Sequence, residues 1–147
     1  ILRTAWLYGV HGNNFLKTML RLSLQGKALK VVNDQHGSPT WSWRLARQID
    51  KVIDHGARGL YHATAEGHCT WFELARYFLE RMGVPHKLSP CGTEEYPTPA
   101  RRPANSILEN AALKRAGLNV MAPWAEDVDE FVKRYRERLL DEAGRAK

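Results

Sequence analysis

The stretch Asn33-Asp34-Gln35-His36-Gly37-Ser38-Pro39-Thr40 decides which fold class this sequence predicts. It follows a short apolar run, Leu29–Val32, and precedes a segment with helical periodicity, Trp41–Ile53. That order predicts a strand, a loop and a helix. Such loops carry ligands in α/β proteins, because the end of a strand and the N-terminus of a helix both present unpaired backbone groups there.

Two interpretations of this loop are open from its residues. In the simpler one the loop only caps the helix: Gly37 permits a tight or positive-φ turn, and Ser38 and Thr40 supply capping hydroxyls. Capping does not explain Asp34 and Gln35, which leaves a ligand-carrying role open.

Length and composition predict one globular module, residues 1–147. A hydrophobic content of 44% in 147 residues is enough for a core. The 22 Lys and Arg exceed the 16 Asp and Glu, and the resulting net charge of +6 suits an anionic partner such as a nucleotide or a nucleic acid. In the tail, residues 133–147, basic and acidic residues are interleaved, so we expect a solvated helix face there and no nucleic-acid partner.

Cysteine usage and hydropathy predict a cytoplasmic protein that does not contact a membrane. Cys69 and Cys91 form no C-x-x-C pair, so neither a zinc site nor a disulfide framework is indicated. No run approaches the roughly 18 apolar residues that cross a bilayer, and no signal peptide is evident. The chain opens directly in an apolar, strand-like run without an initiator Met, which we interpret as an interior piece of something longer.

Strands alternate with helices along the chain, which indicates an α/β fold. We expect an N-terminal helix capped by Asn13 or Asn14 and a third helix that begins in a Thr70–Glu73 capping box. Three or four short strands are too few for a self-sufficient doubly wound domain, so the sheet is expected to lack a partner. The expected strands are Ile1–Tyr8, Leu29–Val32, Gly59–Ala63 and, more weakly, Pro85–Leu88; the expected helices lie over 15–24, 41–53, 70–82, 110–116 and from 124 onward.

No catalytic residue and no metal ligand can be assigned from the motifs. The sequence has no G-x-S-x-G, no H-E-x-x-H, no G-x-G and no Tyr followed four positions later by Lys. Both cysteines are expected to be unreactive, and His62 is expected to be a hydrogen-bonded structural residue. The chain should therefore not catalyse hydride transfer alone.

Several residues are suited to holding a sugar nucleotide. The pair Arg101-Arg102 could clamp a diphosphate, because guanidinium groups bind phosphate oxygens in pairs. Trp6 could stack on a sugar or base, and Asn13, Asn14 and Gln35 can bond sugar hydroxyls. The opposing interpretation is that Trp6 belongs to the core and the arginine pair is merely solvated.

Six short motifs follow one another along the chain: 3–9 (RTAWLYG), 12–15 (GNNF), 33–40 (NDQHGSPT), 59–62 (GLYH), 70–75 (TWFELA) and 100–108 (ARRPANSIL). Together they resemble the dTDP-4-dehydrorhamnose reductase family of extended short-chain dehydrogenases, over the C-terminal half of such enzymes only. The resemblance implies reduction of dTDP-4-dehydro-L-rhamnose to dTDP-L-rhamnose with NADH or NADPH, for polysaccharide synthesis. In the family the catalytic Thr, Tyr and Lys and the nucleotide fingerprint lie upstream, so no coenzyme is expected to bind tightly to this chain alone.

The resemblance also implies roles for single residues. Trp6 matches the tryptophan that contacts the sugar nucleotide, and Arg102 resembles the arginine directed at the diphosphate. Thr4 and Ala5 occupy the strand end beside the nicotinamide. Ser106 belongs to the local frame of that arginine.

The implied fold is the edge of a Rossmann sheet joined to a small helical substrate-binding lobe. Its exposed apolar edge predicts a homo-oligomer or association with the N-terminal half. An alternative is a non-catalytic regulatory or binding protein on the same scaffold, as in the regulatory subunit of methionine adenosyltransferase. Nucleic-acid binding by a basic domain, which would depend strongly on salt, is a third hypothesis.

Overall fold

Helices account for most of the regular structure in residues 1–96 and 102–145, the residues that this computed structural model describes. Short strands, paired in twos, connect them. The helices are α1 (Phe15–Leu24), α2 (Ser42–Asp54), α3 (Trp71–Met82), α4 (Ala111–Arg115) and α5 (Trp124–Arg145). The strands are β1 (Leu2–Arg3), β2 (Leu7–Tyr8), β3 (Ala28–Val32), β4 (His36–Gly37), β5 (Thr40–Trp41), β6 (Tyr61–His62), β7 (Cys69–Thr70) and β8 (Lys87–Cys91).

Parallel pairing dominates the described strands. β1 pairs with β6, β2 with β5 and β3 with β8, all parallel, whereas β4 and β7 are antiparallel. The longest pair runs in register from Ala28 opposite Lys87 to Val32 opposite Cys91. Parallel strands joined through helices confirm the predicted α/β class, in the form of a partial Rossmann-type sheet with helices around it.

Local signals set the helix ends as the sequence predicts. Asn14 caps α1 by accepting a hydrogen bond from the Lys17 backbone N at 3.2 Å. In the capping box of α3, the Thr70 hydroxyl accepts from the Glu73 backbone N, and the Glu73 carboxylate accepts from the Thr70 backbone N. Gly83 ends this helix at φ +66°, a left-handed conformation that favours glycine.

The main core lies where α1, α3 and α5 meet the ends of the strands. Its central residues are fully or almost fully buried, and a second, smaller cluster lies under α2 and α4. The largest buried side chains of the main core are Leu16, Leu20, Trp41, Leu74, Phe78, Leu79, Met82, Phe131 and Leu139. In the described part of the chain, no helix is long and apolar enough to cross a membrane.

The predicted single strand Ile1–Tyr8 is wrong in one respect, because it is interrupted. β1 and β2 are separated at Trp6, whose backbone has φ +49°, the one positive φ among the described non-glycine residues. An extended strand cannot contain that conformation. The Trp6 carbonyl instead accepts a hydrogen bond from the Thr40 backbone N at 3.1 Å.

The capping roles predicted for the decisive loop are also wrong. α2 begins after Trp41 without a side-chain cap. The Ser38 hydroxyl donates instead to the Gly67 carbonyl at 2.7 Å, and the Thr40 hydroxyl to the Ser38 carbonyl at 3.2 Å. The loop itself forms β4 and β5, because its backbone finds partners from distant segments.

Two further expectations need correction. The weak strand predicted at Pro85–Leu88 lies further along, at β8. The helical periodicity of Trp41–Ile53 predicts a buried apolar face that includes Ile49 and Ile53. In α2 these two residues are exposed by 38% and 68%, whereas the polar Gln48 is completely buried. Gln48 bonds Leu118 and Val120, contacts that the helical period alone cannot indicate.

Candidate functional site

A cleft of about 760 Å³ opens between β3, α1 and the segment that follows residue 101. Its lining combines aromatic and apolar side chains with amide, hydroxyl and cationic groups. The lining residues are Ala5, Trp6, Phe15, Thr18, Met19, Lys30, Val31, Val32, Gln35, Trp71, Tyr96, Arg102, Pro103 and Ser106.

Stacked indoles form the aromatic wall. The rings of Trp6 and Trp71 lie 3.6 Å apart between centroids, with an interplanar angle of 10°. Phe15 meets the Trp71 ring edge-on at 4.7 Å. Trp71 is the first residue of α3, so the capping box that starts this helix also fixes the wall of the cleft. Flat aromatic surfaces of this kind suit a sugar ring or a base.

The Trp6 side chain is held at its polar edge as well as on its face. Its Nε1 donates to Ser106 Oγ at 3.1 Å, and that hydroxyl donates in turn to the His36 carbonyl at 3.1 Å. Gly37 lies against the same ring, where a Cβ would collide with the indole. Residues 36, 37 and 106 therefore form a rigid backing for Trp6.

Asp34 and Gln35, which capping does not explain, both bond Thr93. Gln35 Nε2 donates to Thr93 Oγ1 at 3.0 Å, and Asp34 accepts from the Thr93 amide and hydroxyl. These hydrogen bonds hold the pKa of the Asp34 carboxyl below its usual value, with the Thr93 hydroxyl contributing most. The pair fastens the end of β3 to the 3-10 turn Thr93–Glu95.

Two cationic side chains, Lys30 and Arg102, line the cleft. The described lining residues include no carboxylate. Lys30 Nζ lies 2.8 Å from Glu95 Oε2 outside the lining, and this hydrogen bond raises the pKa of Lys30. Arg101, the other half of the predicted arginine pair, lies outside the described residues. The cleft therefore suits an anionic ligand with an apolar or ring-shaped portion.

The structure brings four of the seven predicted site residues to this cleft: Ala5, Trp6, Gln35 and Arg102. The other three lie elsewhere. Thr4 is beside the cleft, and its Oγ1 is buried without a hydrogen-bond partner in the described residues.

The two asparagines do not line the cleft. Asn14 is committed to its helix cap, and its Nδ2 also donates to the Gly9 carbonyl at 2.8 Å. Asn13 borders a separate depression of about 270 Å³, together with Lys17 and Glu142. Neither is therefore positioned to meet a ligand held by Trp6.

Sequence reasoning missed Phe15, Met19, Lys30 and Trp71 as cleft residues. A signal was present for Trp71, since the residue after a capping threonine starts a helix beside the preceding loop. Lys30 carried no such signal. In an isolated strand its side chain could point to either face.

Neither Cys69 nor His62 is among the described residues that line the cleft. Burial raises the pKa of the Cys69 thiol to about 12, which agrees with the expectation that this thiol is unreactive. His62, which is half-buried, has its Nδ1 3.3 Å from the Glu109 carbonyl oxygen. Among residues 1–96 and 102–145, no group of three His, Cys, Asp or Glu side chains could hold a metal ion.

The sequence profile of one protein family matches residues 1–137, almost the whole chain. The chain belongs to the RmlD substrate binding domain family. This assignment confirms the family resemblance of the sequence motifs, which lie inside the matched range.

Two solved structures with the same enzyme name are similar to this RmlD-type domain in sequence and in fold. A dTDP-4-dehydrorhamnose reductase from Clostridium acetobutylicum is 42% identical with a TM-score of 0.88, over 92% of this chain and 48% of that one. The enzyme of the same name from Bacillus anthracis, solved in complex with NADP, is 38% identical with a TM-score of 0.85, over 90% of this chain and 47% of that one.

Another relative is named as a reductase of a different dTDP-sugar. The dTDP-4-keto-6-deoxy-D-glucose reductase of Streptomyces niveus is 40% identical over 125 residues, or 84% of this chain and 43% of that protein. The chain thus spans about half the length of these relatives, which is consistent with a match to their substrate-binding half.

Proposed function

We propose that this chain is the sugar-nucleotide-binding portion of a reductase that converts dTDP-4-dehydro-L-rhamnose to dTDP-L-rhamnose. The observation that carries the proposal is the cleft in which Trp6, Gln35 and Arg102 meet. It combines an aromatic wall with cations and no lining carboxylate among the described residues, as a sugar diphosphate requires. The names of the related enzymes supply the substrate class.

Different lining residues are assigned to different parts of the ligand. Trp6, stacked on Trp71, supports the hexose ring. Arg102 binds the diphosphate, and Lys30, which also lines the cleft, adds positive charge. Gln35 lines the cleft as well; its Nε2 donates to Thr93, and its Oε1 can accept from a ligand hydroxyl. Remote binding of the nucleotide would then orient the keto carbon.

We assign Ala5, in the cleft wall, and Thr4, beside it in sequence, to the coenzyme, which is NADH or NADPH in the intact enzyme. Ala5 lines the cleft with a methyl group only, which leaves room for a flat ring. The Thr4 Oγ1 is buried and has no hydrogen-bond partner among the described residues, so it can bond a polar group brought there. A nicotinamide would supply the hydride. The chain contains no glycine fingerprint for a pyrophosphate, so its own residues bind and orient the sugar nucleotide and contribute only this edge to the coenzyme.

A strand edge and several exposed apolar side chains are available for assembly. Among the described strands β1 pairs only with β6, so its other edge has no partner there. Ile1 is exposed by 85%, Ile53 by 68% and Leu60 by 46%. We assign this edge and these side chains to contact with a dinucleotide-binding half or with a second copy of the chain, because free edges and exposed apolar residues favour pairing. We place the protein in the cytoplasm, where its free, buried cysteines stay reduced, and in polysaccharide synthesis.

Calorimetric titration with dTDP-L-rhamnose tests the proposal, with Trp6→Ala as the variant. Binding by the natural chain that the variant loses supports the assignment of the cleft. A chain that binds no dTDP-sugar but forms a stable complex with a partner protein would instead favour the regulatory alternative.

A further inference from the structure

We infer that Gly37 is a positioning residue for the sugar subsite: the absence of a side chain at Gly37 places the Trp6 indole in the cleft wall. This inference rests on the proposed function, because that function assigns Trp6 to the hexose. Gly37 itself does not line the cleft and acts only through Trp6.

Glycine is needed at this position because there is no room for a side chain, and not because of the backbone conformation. Gly37 is buried in β4, and its φ is not in the left-handed region. A Cβ placed there would lie 2.6 Å from both Cζ2 and Nε1 of Trp6, and closer still to Cε2. Three atoms of one rigid ring are involved, so no single flexible atom can move aside.

The indole has little freedom to yield. One face is in van der Waals contact with Trp71, at 3.6 Å between ring centroids, and Nε1 is bonded to Ser106. The backbone of Trp6 is held at φ +49° while its carbonyl accepts from Thr40. A strained conformation persists only where its surroundings over-determine it. An added methyl group would therefore force the ring out of its present position in the cleft wall.

Another tightly packed glycine shows how specific this relation is. A Cβ at Gly9 would meet mainly the Ser42 hydroxyl, the end of a side chain that can rotate away. A Cβ at Gly144 would meet nothing within 4 Å. Gly144 is exposed near the C-terminal end of α5, so it is a suitable position for a control substitution.

The test compares Gly37→Ala with Gly144→Ala in the full chain. The NMR resonance of the Trp6 indole N–H, assigned by its loss in Trp6→Phe, reports the position of the ring. Titrations with dTDP-L-rhamnose and with dTDP are compared, because the difference between the two affinities reports the contribution of the sugar. Gly37→Ala should move the resonance and weaken dTDP-L-rhamnose binding about tenfold or more, because a small displacement of a positioning group has a large effect. Binding of dTDP should change less, and Gly144→Ala should match the natural chain. An unmoved resonance overturns the inference, as does equal weakening of both ligands.

The inference about Gly37 can still be tested if the chain binds no ligand or if Gly37→Ala does not fold. If the natural chain binds neither ligand, the proposed function fails for this chain, whereas the inference about Gly37 is still judged by the Trp6 resonance. If Gly37→Ala does not fold, the double variant Trp6→Ala/Gly37→Ala decides. Since the collision needs the indole, the double variant should be as stable as Trp6→Ala alone. Equal instability with and without the indole would overturn the inference.

Discussion

The carboxylate of Asp34 accepts from two donors on Thr93: the backbone N–H, shared between both oxygens at 2.9 and 3.1 Å, and the hydroxyl, at 2.6 Å. The two residues follow the ends of β3 and β8, which run side by side. The carboxylate thus closes this strand pair at the end that borders the cleft, and Gln35 bonds the same threonine from the next position.

Removing the Thr93 hydroxyl should raise the pKa of Asp34. That hydroxyl contributes most to lowering the pKa, so in Thr93→Val the carboxyl should titrate closer to its ordinary value while the backbone hydrogen bonds keep part of the shift. Because the folded-state pKa is lowered, the stabilisation is present above the unfolded pKa and lost as pH falls through the folded one. Carboxyl-carbon NMR titration measures the shift. Thr18→Val is the control, because it removes a hydroxyl that donates to the carbonyl of Asn14, the N-cap of α1. An unchanged pKa of Asp34 in Thr93→Val would refute the assignment.

Local signals carried the sequence-based predictions that succeeded. The capping box Thr70–Glu73 lies within one helical turn, so the sequence predicts it without knowledge of the fold. Asn14 as a cap, and the family motifs around Trp6, were likewise visible in short stretches. These signals predicted the α/β class and the main helices. Four of the residues named as site candidates line the cleft, and their binding roles stay predictions.

The structural features that the sequence did not predict depend on contacts between segments that are distant in the chain. Ser38 caps nothing because the Gly67 carbonyl takes its hydroxyl, and β8 lies where β3 pairs with it. Gly37 was expected to serve a turn, whereas it serves the Trp6 ring. A sequence pattern cannot report a partner that only the folded chain brings close.

Gln48→Leu should destabilise the fold, although leucine fits the apolar pattern of α2 better. Gln48 is completely buried, and its side chain donates to the Leu118 carbonyl at 2.9 Å and accepts from the Val120 backbone N at 2.8 Å. Leucine leaves both backbone groups without a partner, at a cost of about 2–4 kcal/mol in the free energy of unfolding. Urea denaturation measures the loss. The exposed neighbour Asp50→Ala should change stability by less than about 0.5 kcal/mol, and a similar small change in Gln48→Leu would contradict the argument.

Glu142 should titrate near pH 2. Hydrogen bonds from Lys17 and then Arg138 lower the pKa of its carboxyl to about 2. The stabilisation from this group is therefore complete above its unfolded pKa and fades as pH falls through about 2. In Lys17→Met the pKa should rise, yet stay below the ordinary value because Arg138 remains 2.8 Å away. NMR titration of the carboxyl tests both values. An ordinary pKa in the unmodified chain would show that solvent breaks these contacts.

Arg102→Ala should weaken binding of dTDP and of dTDP-L-rhamnose by the same factor. Arg102 is assigned to the diphosphate, which both ligands share, whereas Trp6 is assigned to the sugar. Losing a hydrogen-bonded charge pair costs about 1.5–3 kcal/mol, or roughly 10- to 100-fold in affinity. Calorimetric titration of both ligands measures it, and Arg102→Lys should recover only part, since an ammonium group cannot bind two phosphate oxygens in a fork. Arg115→Ala, at the end of α4 and outside the cleft lining, removes the same charge as a control. If Arg115→Ala weakens binding as much as Arg102→Ala, then net charge alone attracts the nucleotide and Arg102 has no specific place in its site.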